Sequence, residues 1–172
     1  MDILEVLQSD HEKVIDMINR LMTLAESPGL ENQWPAAYHD LKATVISHDR
    51  AEEAIFYEAL RRALADQGQT QEHFDRRDQE HREIEDLLHD LEEANPNDEK
   101  WLSKMALIKS HLVSHTQEEE AGVFEMARKS LPEGALADMA HEFKELRREI
   151  IRAIPFAQNP AVSGLDQTTA PH

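Results

Sequence analysis

The sequence has no cysteine and no long hydrophobic run, and it contains only 5 glycines and 7 prolines in 172 residues. The absence of cysteine excludes disulfides, thiolate catalysis, zinc ribbons and cysteine-ligated iron–sulfur clusters. No apolar segment approaches the roughly 18 residues that a membrane span requires. Residues 1–5 also lack the basic start and apolar stretch of a signal peptide, so we expect a cytoplasmic protein.

Positive charge is scarce as well. The chain has 18 Lys plus Arg against 35 Asp plus Glu, which gives a formal net charge of −17. Nucleic-acid backbones and anionic membranes both bind basic surfaces, so neither is an expected partner. Hydrophobic residues make up 40 % of the chain, which is enough for a core in one compact domain.

Most glycines and prolines lie at breaks between long segments of helix-forming residues. These segments predict five helices, at 2–26, 34–66, 71–94, 98–130 and 134–153. Short connections between the first four favour an antiparallel up-down-up-down four-helix bundle, an all-α fold. We expect the bundle over residues 1–130, an additional C-terminal helix within 131–154 and a loose tail over 155–172.

Apolar residues recur every three or four positions along each of the first four predicted helices, which is typical of a stripe that faces a bundle interior. The predicted stripe includes Ile55 and Ala59 in the second helix, and Gly122 and Met126 in the fourth. Polar residues interrupt every stripe, and the interruptions match between the two halves of the chain.

The matching interruptions form an internal repeat. Each half supplies one lone histidine on its first helix and a His-x-x-x-Glu pair on its second. The six residues are His11, His48, Glu52, His81, His115 and Glu119. Residues i and i+4 lie on one helix face, so we expect four imidazoles and two carboxylates to converge inside the bundle.

Buried groups of this kind need a compensating partner. A carboxylate in an apolar core costs several kcal/mol or must hold a proton, whereas a metal ion neutralises it. Six nitrogen and oxygen ligands suit two metal ions bridged by both glutamates, and the donor set suits iron, manganese, zinc or copper. Either His-x-x-x-Glu pair alone is a weak motif, and it is the duplication that predicts the site.

The six residues, with Ile55-Phe56 and Val123-Phe124 after the two glutamates, resemble the hemerythrin-like, HHE cation-binding family over residues 1–130. The resemblance implies an antiparallel four-helix bundle with two irons per chain, joined by an oxo or hydroxo bridge. It also implies binding of O₂, H₂O₂ or NO and a role in oxidative stress, with catalase- or peroxidase-like activity as one outcome.

The sequence departs from the oxygen-carrying hemerythrins that it resembles. They place a second histidine one turn before the histidine equivalent to His81, where this chain has Arg77. Their last carboxylate is an aspartate five residues after the final histidine, whereas here Glu119 follows at four and Glu120 at five. The missing histidine favours redox turnover or metal handling over reversible oxygen carriage. Ferritin-like di-iron proteins use Glu-x-x-His pairs instead, and no histidine here has a glutamate three residues before it.

Further residues lie near the predicted centre, and their roles stay open at this stage. His111, one turn before the last histidine of the set, is either an extra ligand, a support for one, or a flank residue without metal contact. Arg77 either reaches solvent or pairs with a bridging glutamate. Tyr57 either packs with its hydroxyl near solvent or contacts a ligand or the metal. Glu53 and Glu120 are either supporting residues or surface residues.

Three functions are consistent with these patterns. The first is a di-iron protein that binds O₂, peroxide or NO, with or without peroxide decomposition. The second is an iron sensor or scavenger without turnover, and the third is a metal-free helical interaction module. Nucleophile motifs and Gly-rich phosphate loops are absent from the sequence, which gives hydrolases and kinases no support. Both a monomer and a dimer are compatible with the sequence.

Overall fold

The computed structural model describes residues 1–92 and 94–155, and every regular element in these ranges is helical. The elements are α1 (Ile3–Ala25), α2 (Trp34–Glu52), π1 (Glu53–Tyr57), α3 (Glu58–Ala63), α4 (Thr70–Leu91), α5 (Glu99–Glu118), π2 (Glu119–Val123), α6 (Phe124–Ser130) and α7 (Glu133–Ala153). Because α2, π1 and α3 are continuous, as are α5, π2 and α6, the elements form five helical rods. The predicted all-helical fold is confirmed, and the predicted tail lies outside the described residues from position 156 onward.

Local signals explain several of the helix ends. Asp2 caps α1 by accepting from the Glu5 backbone N–H at 3.0 Å, and the Glu5 carboxylate accepts from the Asp2 backbone N–H in return. Asp98 caps α5 by accepting from the backbone N–H of Lys100. Between α1 and α2 the chain turns through Gly29, whose φ of 83° lies in the left-handed region that favours glycine.

Two hydrophobic cores lie along the rods. The first core joins the start of α1 to π1, α3, the start of α4, the end of π2, α6 and α7, and it includes Leu7, Phe56, Phe74, Phe124 and Phe143. The second core joins the rest of α1 to α2, the end of α4 and α5, and it includes Ile18, Leu41, Leu88, Trp101 and Ile108. The buried polar residues interrupt each of the first four rods between these cores.

The helix α7 packs against α1 and α2. Its buried residues, Leu136, Met139, Ala140 and Phe143, belong to the first core. The predicted C-terminal helix is therefore part of the packed structure. In the described residues, no helix has both the length and the apolar character needed to cross a membrane.

The two π-helical turns were not predicted, and they shift the buried stripe. The turn π1 begins directly after Glu52. The stripe was predicted to continue through Ile55 and Ala59, but these residues are half-buried, whereas Phe56 and Leu60 are fully buried. A π turn closes i→i+5 hydrogen bonds and so accommodates one extra residue. The prediction for this segment is wrong by one position for that reason.

The second π turn produces the same shift in the other half. Gly122 and Met126 were predicted in the stripe, but Val123 and Ala127 are the buried residues. Gly122 is exposed, and a Cβ atom at this position would meet no atom within 4 Å. Glycine is therefore not required at this position by a close approach to another helix. The repeat in the sequence is matched by a repeat in backbone geometry.

Candidate metal centre

The six repeated residues meet in one buried cluster between the two cores. None of them is more than 6 % exposed, and both glutamates are 0 % exposed: His11, His48, Glu52, His81, His115 and Glu119. Two groups of three have ligand atoms within 4.8 Å of one another, namely His11 with His48 and Glu52, and Glu52 with His81 and His115. Since Glu52 belongs to both groups, its carboxylate lies between two candidate metal positions.

Each glutamate faces one histidine from each half of the chain. The two Glu52 oxygens lie 3.8 Å from His48 Nε2 and 3.5 Å from His81 Nε2. Glu119 Oε2 lies 3.3 Å from His11 Nε2 and 3.9 Å from His115 Nε2. The four Nε2 atoms therefore face the two carboxylates, and each carboxylate lies between histidines from the two halves of the chain.

The Nδ1 atom of every histidine in the cluster contacts a carboxylate on another helical rod. The contacts are His11 with Glu120 at 2.8 Å, His48 with Asp10 at 3.2 Å, His81 with Glu53 at 2.7 Å, and His115 with Glu80 at 2.9 Å. An Nδ1–H that donates to a carboxylate leaves the Nε2 lone pair free for a metal ion. These four acids therefore fix the tautomer that metal binding needs.

Sequence reasoning identified only half of these acids. Glu53 and Glu120 were considered either as supporting residues or as surface residues, and the structure places them on the histidine rings. Asp10 and Glu80 were missed as partners, although an acid directly precedes the lone histidine in both halves of the repeat. That matching position was the available signal.

Arginines hold the two missed acids in place. Arg77 is buried, and its Nη1 atom donates to Glu80 Oε2 at 3.0 Å, so it contacts this acid rather than solvent or a bridging glutamate. The hydrogen bond from His115, together with the charge of Arg77, lowers the pKa of Glu80 to about 2 against the opposing effect of burial. In the other half, Arg147 of α7 contacts Asp10 Oδ2.

Tyr57 touches the cluster, whereas His111 does not. The hydroxyl of Tyr57 donates to Glu119 Oε1 at 2.8 Å, and its ring stacks on His81 with ring centroids 5.6 Å apart. Of the alternatives for Tyr57, the structure favours contact with a candidate ligand, because the side chain is fully buried. His111 is exposed on α5 and lies outside both groups of candidate ligands.

The cluster perturbs the acidity of its members. Burial raises the pKa of Glu52 well above its usual range, and the adjacent Glu119 carboxylate raises it further. Burial also acts to raise the pKa of Glu119, but the electrostatic interactions with the nearby His11 and His115 outweigh it, so the net shift is downward. Burial lowers the pKa of His81 well below its usual range, and His115 adds to this effect.

Several atoms of the cluster that could bind a metal have no hydrogen-bond partner among the described residues. They are His11 Nε2, both carboxylate oxygens of Glu52, and Glu119 Oε2. Buried polar atoms without a partner are rare because each costs free energy. Buried nitrogen and oxygen atoms that lie this close together are the set expected for a transition-metal ion, so the residues fit a metal centre.

Comparison with known protein families agrees with this geometry. The family described as hemerythrin HHE cation binding domain matches residues 2–127. Neither a comparison with curated proteins nor one with solved structures finds a match. The matched range contains all six clustered residues and most of the chain. The chain therefore belongs to the hemerythrin HHE cation-binding domain family.

Proposed function

We propose that the protein is a non-haem di-iron protein that binds O₂, peroxide or NO. The proposed ligands are His11, His48, Glu52, His81, His115 and Glu119, with both glutamates shared between the two irons. The observation that carries this proposal is the set of buried, closely spaced nitrogen and oxygen atoms, several of which have no hydrogen-bond partner among the described residues. When bound, the irons would supply redox chemistry and a coordination position for a small ligand.

The distribution of the two cores supports an antiparallel bundle as the scaffold. The first core combines the start of α1 with the rod segment after Glu52, the start of α4 and the segment after Glu119. The second core combines the opposite ends of the same four rods. Successive rods that alternate in direction account for both groupings. This alternation brings one histidine from each rod to the same level.

The residues of this chain prepare the site rather than perform the chemistry. The four acids on the Nδ1 atoms hold each ring in one tautomer and one orientation. Tyr57 gives Glu119 one hydrogen bond and leaves its other oxygen without a partner. The aromatic residues Phe56 and Phe124, which are both buried, limit the access of water to this end of the cluster.

The role of Arg77 supports turnover or metal handling over simple oxygen carriage. This residue stands where oxygen carriers have an additional histidine, and its guanidinium pairs with Glu80 and lies 3.5 Å from Glu118. It therefore supplies no nitrogen donor to a metal. Without that donor the two halves contribute equal numbers of histidines, and carboxylates form a larger share of the ligands.

Elemental analysis of protein expressed with added iron tests the proposal. We expect two irons per chain in the wild type, and loss of both in the double variant His48→Leu/Glu119→Leu. His111→Leu is the matched control, because this exposed histidine lies one turn from His115 but outside the cluster. Absence of metal from a wild-type protein that still melts cooperatively would overturn the proposal and support the interaction module.

A peroxide-decay assay separates catalytic peroxide decomposition from an iron sensor or scavenger without turnover. Decay of H₂O₂ in proportion to bound iron, lost in the double variant and kept in His111→Leu, would support peroxide decomposition. Iron release on reduction without peroxide decay would instead support the sensor or scavenger. The large negative charge supports small molecules rather than nucleic acids or anionic membranes as partners.

A further inference from the structure

Asp49 is a buried carboxylate that the six-residue site does not use. It lies on α2, between His48 and Glu52, and it is 7 % exposed. Its Oδ2 atom has no hydrogen-bond partner among the described residues. The neighbouring Arg50 gives it no hydrogen bond, since its guanidinium pairs with Glu85. A buried carboxylate without a neighbouring cation or hydrogen-bond donor destabilises the folded protein, so the presence of Asp49 at this position needs an explanation.

The position of Asp49 places it beside one of the two candidate metal positions. Its Oδ1 atom lies 3.9 Å from His81 Nε2, the same nitrogen that faces Glu52 at 3.5 Å. Asp49 and Glu52 are three residues apart on one helix, so their side chains lie on adjoining parts of its surface. The side chain of Asp49 thus borders the group formed by Glu52, His81 and His115.

This carboxylate breaks the symmetry of the repeat. The offset that aligns His48 with His115 aligns Asp49 with Thr116. The Thr116 hydroxyl donates to the backbone carbonyl of Val113 on its own helix at 3.2 Å. Helix packing alone does not explain why this position is an acid in the first half of the repeat and the matching position is a threonine in the second half.

We propose that Asp49 is a seventh metal ligand, which binds the ion held by Glu52, His81 and His115. The inference rests on the proposed function. It makes the two metal positions unequal, because one gains an oxygen donor that the other lacks. It also adds a third negative charge next to two cations that Glu52 and Glu119 neutralise only in part. An additional carboxylate favours iron or manganese over softer ions at this position.

Anaerobic calorimetric titration with Fe(II) tests the inference in the wild type and in two variants of Asp49. Asp49→Asn keeps the shape and removes the charge, and Asp49→Ala removes the donor. We expect one of the two binding events to weaken about tenfold or more in both variants, while the other keeps its affinity. Asp40→Asn is the matched control, because Asp40 is an exposed aspartate on the same helix.

Two further measurements separate ligation from a structural role. In the metal-free state both variants should be at least as resistant to heat as the wild type, because a buried charge has been removed. With Co(II) as the probe, loss of one donor should change the intensity of the visible absorption bands, since these depend on coordination number. The Asp40→Asn spectrum should match that of the wild type.

The possible outcomes separate a failure of the Asp49 inference from a failure of the proposed function. If the wild type binds two Fe(II) and both Asp49 variants bind them with unchanged affinities, the Asp49 inference is overturned and the six-ligand site stands. Equal weakening of both binding events would also overturn it, because Asp49 would then serve the cluster as a whole. If the wild type binds no metal, both the proposed function and the Asp49 inference are overturned.

Discussion

The Nε2 atoms of His81 and His115 lie 2.9 Å apart, while the Nδ1 atom of each ring contacts a carboxylate. The chain from Glu53 through the two rings to Glu80 thus has three polar contacts, each of which needs one proton. Two neutral imidazoles supply only two protons. Because the pKa of His81 is lowered by burial and by His115, a third proton is disfavoured there. A metal ion relieves the same deficit without a proton.

Metal loading should therefore raise the stability of the protein. We expect a chelator to lower the melting temperature, and metal at about a thousand times its dissociation constant to add about 4 kcal/mol to the free energy of unfolding. Scanning calorimetry of the metal-free and Fe(II)-loaded protein measures the difference. The exposed-site variant His111→Gln should show the same gain as the wild type. Identical melting with and without metal would contradict this prediction.

Replacement of Glu52 by Gln should stabilise the metal-free protein at neutral pH by about 1–3 kcal/mol. Burial raises the pKa of Glu52 from an ordinary value of 4.5, so the folded state holds a proton more tightly than the unfolded chain does. The wild type therefore loses stability as pH rises above 4.5, and the advantage of Gln should vanish as pH falls toward that value.

Urea unfolding of the metal-free proteins at several pH values measures this effect. The control is Glu12→Gln, an exposed site on α1, which should change stability by less than about 0.5 kcal/mol at every pH. A Glu52→Gln protein that is less stable than the wild type at pH 7 without metal would show that the ionised carboxylate is compensated by the protein itself.

Tyr57→Phe tests whether this phenol supports a ligand or binds the metal. The substitution removes the donor to Glu119 Oε1, and a hydrogen bond to a charged group contributes about 1.5–3 kcal/mol. We expect a loss of this size in metal-free stability, with two irons per chain retained. Burial raises the pKa of Tyr57 well above its usual range, which favours the neutral phenol.

Visible absorption of the oxidised, iron-loaded protein checks the same point. A neutral phenol gives no phenolate-to-iron band, so the wild type and Tyr57→Phe should have the same spectrum. Tyr38→Phe is the control, because Tyr38 is the other of the 2 tyrosines and donates to the Leu88 carbonyl. A band that disappears only in Tyr57→Phe would identify the tyrosine as a metal ligand.

Arg147→Gln should weaken metal binding although the residue lies on α7, outside the range matched by the family. Arg147 contacts Asp10, which in turn contacts His48 Nδ1 at 3.2 Å. Loss of a partner of this kind costs about tenfold in metal affinity. Competition with a chelator measures the change. The exposed neighbour Arg148, replaced by Gln, is the control, and equal affinities in the two variants would refute a role for α7 at the centre.

The sequence by itself determined the helical class and the six clustered residues. Helix propensity and the spacing of His48 with Glu52 act over a few residues, and the geometry of one helix turn directs both side chains to the same side. The duplication of the pattern then indicated that four rods contribute to one place. These inferences needed no knowledge of how the rods pack.

Only the tertiary structure decided which residues surround the cluster. The Nδ1 contacts join residues as far apart as His11 and Glu120, and a local pattern cannot reveal a contact between rods. The π turns after the two glutamates, after which Phe56 and Val123 are buried rather than Ile55 and Gly122, depend on how these rods pack in the first core. The contact of Arg147 with Asp10 and the place of Asp49 beside His81 depend in the same way on how neighbouring helices dock.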